Sequence, residues 1–235
     1  MALILCIETG TDICSVALAR DGEMIALRES DLGKDHARKV GVFTQEILRE
    51  NNIEPEELSA VAVGKGPGSY TGLRIGVSFA KGLCYALGIP LLAIDSLRSL
   101  AACLVEEVEA GIIDIEEWDR AILCPMIDAR RMEVYAELFD TSLAPRSEVV
   151  AEVVHDRSFC DVLLENKKLV IFGNGAAKCA EVLKDAVYVN VSPSARGIVR
   201  LAEESFRAGR FEDLAYFEPF YLKEFLVIPS KKKLL

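Results

Sequence analysis

The sequence predicts an α/β fold of two similar lobes. Strand-like runs and helical patterns follow the order βββαβαβα in the first half, and the same order returns in a compressed form in the second half. Both halves open with Ile-Leu-Cys, at 4–6 and at 122–124. A duplicated unit of this order is typical of the ribonuclease-H-like, actin-like architecture, also called the ASKHA fold. We therefore expect a first actin-like lobe at 1–110 and a second, smaller actin-like lobe with a C-terminal tail at 111–235.

Each element of the first half has its own signal. Strand-like runs predict three strands, and Asp21-Gly22 is a strong hairpin signal that makes them an antiparallel meander. A helix begins near Asp35, which has the character of an N-cap, and ends near Asn51-Asn52. The predicted elements are strands at 3–9, 13–20 and 23–30, a helix at about 35–51, a strand at 59–64, a helix at about 71–87, a strand at 91–95 and a helix at about 96–110.

The second half repeats this order with weaker signals. Its first two strands form a predicted hairpin around Ala129-Arg130. The stretch GIIDIEEWD at 111–119 is the expected boundary between the lobes. The predicted elements are strands at 121–128, 131–139 and 148–154, a helix at about 156–165, a strand at 169–173, a helix at about 176–185, a strand at 187–191 and a helix at about 194–208.

Composition limits the function classes. The formal net charge of −10 and the pI of about 4.9 argue against a protein that grips nucleic acid unaided, because that affinity comes mainly from Lys and Arg. The basic cluster Lys231–Lys233 is interpreted as a solvated tail. Seven scattered cysteines without a CxxC pair are expected to be buried small hydrophobes in a reducing compartment. No signal peptide or membrane span is predicted, so we expect a cytoplasmic protein.

The stretch GKGPGSYTGLRIG at 64–76 resembles a phosphate-binding loop, but it fits neither GxxxxGK[ST] nor GxGxxG. A strand, a Gly-Pro-Gly turn and a helix N-terminus would still attract an anion. The alternative is a tight turn with one residue at positive φ, at Gly66 or Gly68, followed by glycines that let the chain lie close to a neighbour, at Gly72 and Gly76. We favour this second interpretation.

The helix behind that loop has little polar surface. Its polar residues fall on one narrow stripe, while an apolar stripe lies elsewhere. We expect this helix to be covered by the sheet and, on another side, by a neighbouring helix or a second subunit. The polar stripe consists of Arg74, Ser78, Lys81 and Tyr85, and the apolar stripe of Gly76, Ala80, Leu83 and Leu87.

Catalytic patterns are sparse. The only histidines are His36 and His155, without HxxxH or HExxH, so no metal site is expected, and no GxSxG elbow exists. The best enzymatic clue is the turn after the first strand, where an acid and hydroxyls could face a phosphate. In the second half, Asp128 occupies the matching place. The alternative, that both acids cap tight hairpins, stays open. The candidate nucleotide-binding residues are Glu8, Thr9, Thr11, Asp12, Gly173 and Gly175.

Three stretches, LCIETGTDICSVAL, GPGSYTGLRIGVSFAKGL and IDARRMEVYAELF, closely resemble the TsaB (YeaZ) family of the actin-like superfamily. The resemblance implies a non-catalytic partner of the threonylcarbamoyltransferase TsaD. That system makes threonylcarbamoyladenosine next to the anticodon of tRNAs that read codons beginning with A. It further implies the ATPase TsaE as a partner, ATP or ADP only in the complex, tRNA contact only through the complex, and a homodimer when the chain is alone.

The resemblance also implies where partners bind. Family members associate through the first-lobe helices, here about 36–50 and 71–87, and we expect one surface that serves self-association and TsaD in turn. Gly76→Arg is the variant expected to break both associations. TsaD-like proteins carry a metal-binding histidine pair in the helix after the meander, where this chain offers His36 alone. The residues expected at the association surface are Val40, Phe43, Ile47, Arg74, Gly76, Ala80 and Leu83.

The sequence departs from the TsaB family at one position, and two other functions compete with the partner role. Gly10 stands where the family usually has Ser or Thr, which weakens phosphate binding by the first hairpin. An actin-like enzyme with its own ATP site is the alternative function, and it predicts ATP binding by the isolated chain. A metallopeptidase is disfavoured because the ligands for a metal are missing.

Overall fold

A computed structural model of the chain describes residues 2–31, 35–165 and 167–223. The first half contains the eight elements that the sequence predicts, in the predicted order. Asp21 and Gly22 both take positive φ, at 52° and 84°, as the hairpin between the second and third strands requires. The elements are β1 (Leu3–Glu8), β2 (Cys14–Arg20), β3 (Glu23–Ser30), α1 (His36–Glu50), β4 (Ala60–Gly66), α2 (Tyr70–Leu87), β5 (Leu91–Asp95) and α3 (Ser96–Glu109).

The second half is a shorter version of the same unit. Its strands and helices, in chain order, are β6 (Ala121–Asp128), β7 (Glu133–Ala136), β8 (Val150–Val153), α4 (Cys160–Leu164), β9 (Lys168–Phe172), β10 (Val187–Tyr188) and α5 (Ile198–Arg207).

The two sheets have the same strand order. The first runs β3-β2-β1-β4-β5 and the second β8-β7-β6-β9-β10. In each sheet the first strand of the unit pairs antiparallel with the second strand and parallel with the fourth. The predicted two-lobed, actin-like α/β fold is therefore confirmed.

Helices cover the first sheet on both faces. α1 and α2 pack on one face, in a core that includes Val40, Ile47 and Val77. α3 lies between the two sheets, where Leu97 and Leu100 meet Leu123 of β6.

The last helix returns to the first lobe. Ile198, Val199, Leu201 and Ala202 of α5 pack with residues of β1, β2 and β4 such as Ile4. α1 and α2 cover only one face of the first sheet. α5 has one apolar stripe, which it buries against the opposite face. The proposed second lobe, 111–235, thus contributes a helix to the first lobe.

Several predicted elements of the second half differ from the structure. The strands predicted at 148–154 and 187–191 are shortened to Val150–Val153 and Val187–Tyr188. Residues 176–185 form successive turns, because their backbone hydrogen bonds alternate between three-residue and four-residue spacing, as at Cys179 and Ala180. The strand predicted at 131–139 is shortened because Arg130 and Arg131 take positive φ in the hairpin turn. The helix predicted from about 156 begins at Cys160.

Three further expectations concern the whole chain. Six cysteines are buried as predicted, but Cys160 is exposed. Among the described residues, no helix has the length and apolar character needed to cross a bilayer. Lys231–Lys233 lie outside the described residues.

Candidate functional site

The carboxylate of Glu8 points into the fold. The side chain is only 2% exposed, its Oε1 accepts a hydrogen bond from the Gly10 N–H at 2.7 Å, and its Oε2 accepts one from the Ser96 hydroxyl at 3.0 Å. Burial raises the pKa of this carboxyl above its usual range, while the hydrogen bonds from Gly10 and Ser96 act in the opposite direction. The Glu8 carboxylate, which a phosphate site would need, is therefore used in hydrogen bonds to its own turn and to Ser96.

The hydroxyls of the same turn are also engaged. Thr9 Oγ1 donates to the carbonyl oxygen of Gly72 at 2.9 Å, and Thr11 Oγ1 accepts from the Ile13 N–H at 3.3 Å. His36 lies beside them, with Nε2 2.8 Å from the Thr11 carbonyl oxygen. Asp12 is exposed at the end of the turn.

The glycine loop packs directly on this turn. The Ser69 N–H donates to the Gly10 carbonyl oxygen at 2.6 Å. A Cβ at Gly68 would overlap that same carbonyl group, and a Cβ at Gly72 would overlap the carbonyl oxygen of Thr9. Gly66 has φ +111°, the positive value expected in the turn. The close-approach interpretation of the glycines is confirmed, and the neighbour is the chain's own first hairpin.

The acids of both halves have the same local role. Asp128 Oδ1 accepts from the N–H of Arg130 at 3.1 Å, two residues further on, just as Glu8 accepts from Gly10. Gly173 has φ +101° and lies against the Met126 carbonyl, and a Cβ at Gly175 would be 3.0 Å from the Asp128 nitrogen. The hairpin-cap alternative describes both acids.

Four residues expected at the association surface lie in the core. Val40, Ile47 and Ala80 are fully covered by the first sheet and its neighbours. Gly76 is buried too, and a Cβ there would overlap the Thr9 hydroxyl. These four predictions are wrong as direct contacts, because the apolar stripe of each helix faces the sheet and its exposed face is the opposite one. Gly76→Arg would therefore disturb folding before it tested association.

The exposed part of α1 and α2 is a different set of side chains. Tyr85 is 83% exposed and Val42 39% exposed, and a Cβ at Gly82 would have no atom within 4 Å. Phe79 fills the space between the helices, where a Cβ at Gly41 would be 3.7 Å from its ring. We call the following set the α1–α2 surface: Val42, Ser78, Gly82 and Tyr85, with the half-buried Phe43, Phe79 and Leu83.

The polar stripe of α2 binds the last segment that the structure describes. Lys81 Nζ donates to the carbonyl oxygens of Ala215 and Phe217, at 3.3 and 2.8 Å. One end of this stripe is Arg74, whose Nε donates to the Tyr221 hydroxyl at 3.2 Å and whose guanidinium carbon is 4.5 Å from the centre of the Tyr70 ring. We call residues 211–223 the C-terminal strap. The neighbouring helix that was predicted to cover α2 is α1, which packs against it. The strap adds a contact on the polar stripe.

The strap also reaches the second lobe. Lys223 Nζ lies 2.6 Å from both carboxylate oxygens of Glu133, the first residue of β7. No periodic pattern in the sequence indicated this segment, since the side chains that contact it lie 90 or more residues earlier in the chain. The periodicity of the sequence indicated only the surface that the strap contacts, through the narrow polar stripe of α2.

Comparison with known proteins agrees with this architecture. The family model described as "TsaD: tRNA N6-adenosine threonylcarbamoyltransferase" matches residues 30–223. The tRNA threonylcarbamoyladenosine biosynthesis protein TsaB of Bacillus subtilis is 31% identical over 190 residues, which are 78% of this chain and 76% of that protein. This chain belongs to the TsaB (YeaZ) family.

Two further relatives extend the likeness over nearly the whole chain. TsaB of Escherichia coli is 28% identical over 232 residues, which are 94% of each protein. YeaZ from Pseudomonas aeruginosa has the same fold, with a TM-score of 0.78 over 94% of this chain and all of that one, at 23% identity. The TsaB resemblance read from the glycine loop is confirmed. Of the association residues, Phe43, Arg74 and Leu83 remain predictions, as do the nucleotide residues of this TsaB-family chain.

Proposed function

We propose that this chain acts in the cytoplasm as a non-catalytic partner of TsaD in the synthesis of threonylcarbamoyladenosine on tRNA. Its TsaB relatives carry the name of that pathway, and the matching family model carries the name of the transferase. In this chain the turn that an actin-like enzyme would use for phosphate is filled by the glycine loop, with Ser69 bound to Gly10. That contact supports a structural role for the loop.

The observation that carries the proposal is the α1–α2 surface. Gly82 leaves the α2 backbone open next to the exposed Tyr85, and Val42 is exposed on the neighbouring helix. Small and aromatic groups on two adjacent helices allow a second helix pair to approach closely and bury area. TsaD is the proposed occupant, and a second copy of this chain takes the same surface when TsaD is absent.

The remaining partners follow from the family and from charge. TsaE is proposed to join the complex, and ATP or ADP to bind only there. With a net charge of −10, this chain is proposed to meet tRNA only through the complex, because its own field repels phosphates.

Gly82→Arg is the variant that tests the surface. Its side chain has room in the isolated protein and replaces a helical glycine, so we expect a melting temperature that is not lowered but lost association with TsaD. Ala208→Arg is the matched control, since Ala208 is exposed at the end of α5 in the αR conformation. In a reconstituted tRNA modification assay, the control should support full activity and Gly82→Arg should not. Equal activity of both variants would contradict the proposed surface.

An ATP-binding enzyme acting alone is the competing function. Calorimetry with ATP and the isolated chain distinguishes it, because that function requires saturable binding without TsaD. Our proposal predicts no heat beyond dilution.

A further inference from the structure

A cleft lies between the two lobes, away from the α1–α2 surface. Its volume is about 480 Å³, within the range of small-molecule sites. Lys65 and Asp95 stand at the carboxyl ends of the parallel strands β4 and β5, the edge where α/β sheets commonly bind ligands. The cleft is lined by Lys65, Asp95, Arg98, Glu137, Phe139, Pro145, Val149, Glu212, Phe217 and Phe220.

Opposite charges face the cleft from opposite lobes. Arg98 projects from the first turn of α3, and its Nε is buried without a hydrogen-bond partner among the described residues. Glu137 follows β7 in the second lobe. Burial and the neighbouring Asp95 raise the pKa of Glu137 to about 7, although Arg98 and Lys65 oppose the shift. A polar ligand would give the buried Arg98 N–H an acceptor and would interact with the partly buried Glu137 carboxyl.

The other walls are apolar. Phe139 comes from the second lobe, and Phe217 and Phe220 come from the C-terminal strap. The strap is fixed here by the Phe220 N–H, which donates to the Lys65 carbonyl oxygen at 2.7 Å. The rings therefore form a fixed surface against which an apolar group could pack.

The balance of charges selects the ligand class. Lys65 pairs with Asp95, whose Oδ1 lies 3.2 Å from its Nζ. Arg98 then faces the carboxyl groups of Glu137 and Glu212, so a nucleotide triphosphate would be repelled. A carboxylate suits the planar guanidinium of Arg98, and an ammonium suits the carboxyl groups. We propose that the interlobe cleft binds a small zwitterion with an apolar side chain, of the free α-amino acid class. This site is independent of the partner proposed above.

Three probes separate the parts of this recognition. L-leucine has both charges, N-acetyl-L-leucine lacks the ammonium, and L-leucinamide lacks the carboxylate. With the full chain and ligand-observed NMR titrations, we expect saturable binding of L-leucine and at least about tenfold weaker binding of the other two. Inorganic phosphate serves as the probe for a plain anion site and is expected not to bind.

Two variants place the site. Arg98→Gln should weaken L-leucine binding by about tenfold or more, while Arg157→Gln, an exposed arginine of the second lobe, should leave it unchanged. Glu137→Gln removes a carboxyl that repels Asp95, so it should fold well and still weaken binding. No saturable L-leucine binding up to about 10 mM, equal binding of all three leucine probes, or phosphate binding would overturn the proposal.

Discussion

The hydroxyl of Thr9 donates a hydrogen bond to the carbonyl oxygen of Gly72, 2.9 Å away, and so joins the first hairpin to the first turn of α2. A Cβ at Gly72 would overlap the Thr9 carbonyl oxygen, and a Cβ at Gly76 would overlap the Thr9 hydroxyl. Gly72 and Gly76 thus fit the hairpin. The helix surface that we propose for association is on the opposite face, around Gly82.

Two alanine substitutions test this division of the glycines. Gly76→Ala should lower the free energy of unfolding by about 1–3 kcal/mol, because the methyl group displaces Thr9. Gly82→Ala should raise it by about 0.5–1 kcal/mol, since the position is helical, exposed and open. Urea denaturation measures both values. Equal effects of the two substitutions would contradict the packing.

Glu8 should behave as a hairpin cap. Glu8→Ala leaves the Gly10 N–H unpaired in a buried place, so the free energy of unfolding should fall by about 1–3 kcal/mol. Glu8→Gln keeps one acceptor for Gly10, and the Ser96 hydroxyl can turn to accept from the amide, so most of the stability should remain. A large loss for Glu8→Gln would show that the charge itself is needed.

The strap depends on Lys81. Lys81→Met removes both hydrogen bonds to the strap carbonyls at 215 and 217, so hydrogen exchange of the Phe220 amide should become faster while that of β1 stays unchanged. Lys184→Met is the control, because Lys184 is exposed in the turns before β10. Unchanged exchange at Phe220 in Lys81→Met would mean that other contacts hold the strap.

Glu137 makes stability fall with rising pH. Its pKa is raised from 4.5 to about 7 in the folded state, so between about pH 4.5 and 7 the folded chain binds more protons than the unfolded chain. The free energy of unfolding should therefore decrease across that window, by about 1 kcal/mol after allowance for solvent screening. Glu137→Gln should remove this contribution, which chemical denaturation at pH 5 and pH 7.5 would measure. An unchanged pH slope in the variant would contradict the assignment.

Local patterns were enough to predict most of the fold. The strand-like apolar runs of β1, β2 and β3 and the Asp21-Gly22 turn are short-range features, and α1, α2 and α3 have clear helical stripes. The turns at 176–185 escaped prediction because their sequence has helical spacing, while the backbone alternates between two hydrogen-bond patterns.

Long-range contacts were harder to predict. Periodicity showed that Gly76 lies on an apolar stripe, but it could not show that Thr9, 67 residues earlier, covers that stripe. The same limit applied to α5, because the surface that covers its apolar stripe belongs to the first sheet, far away in the sequence. The strap on Lys81 was missed because isolated hydrogen bonds to carbonyl oxygens leave no pattern in the sequence.

Association with TsaD is the central claim, and size-exclusion chromatography with light scattering tests it most directly. The chain, TsaD of the same organism and their mixture would be measured with and without nucleotide, and Gly82→Arg and Ala208→Arg would replace the chain in parallel runs. We predict a new species at the summed mass for the wild-type chain and for Ala208→Arg, and none for Gly82→Arg. No complex of the wild-type chain under either condition would contradict the partner role and favour an enzyme that acts alone.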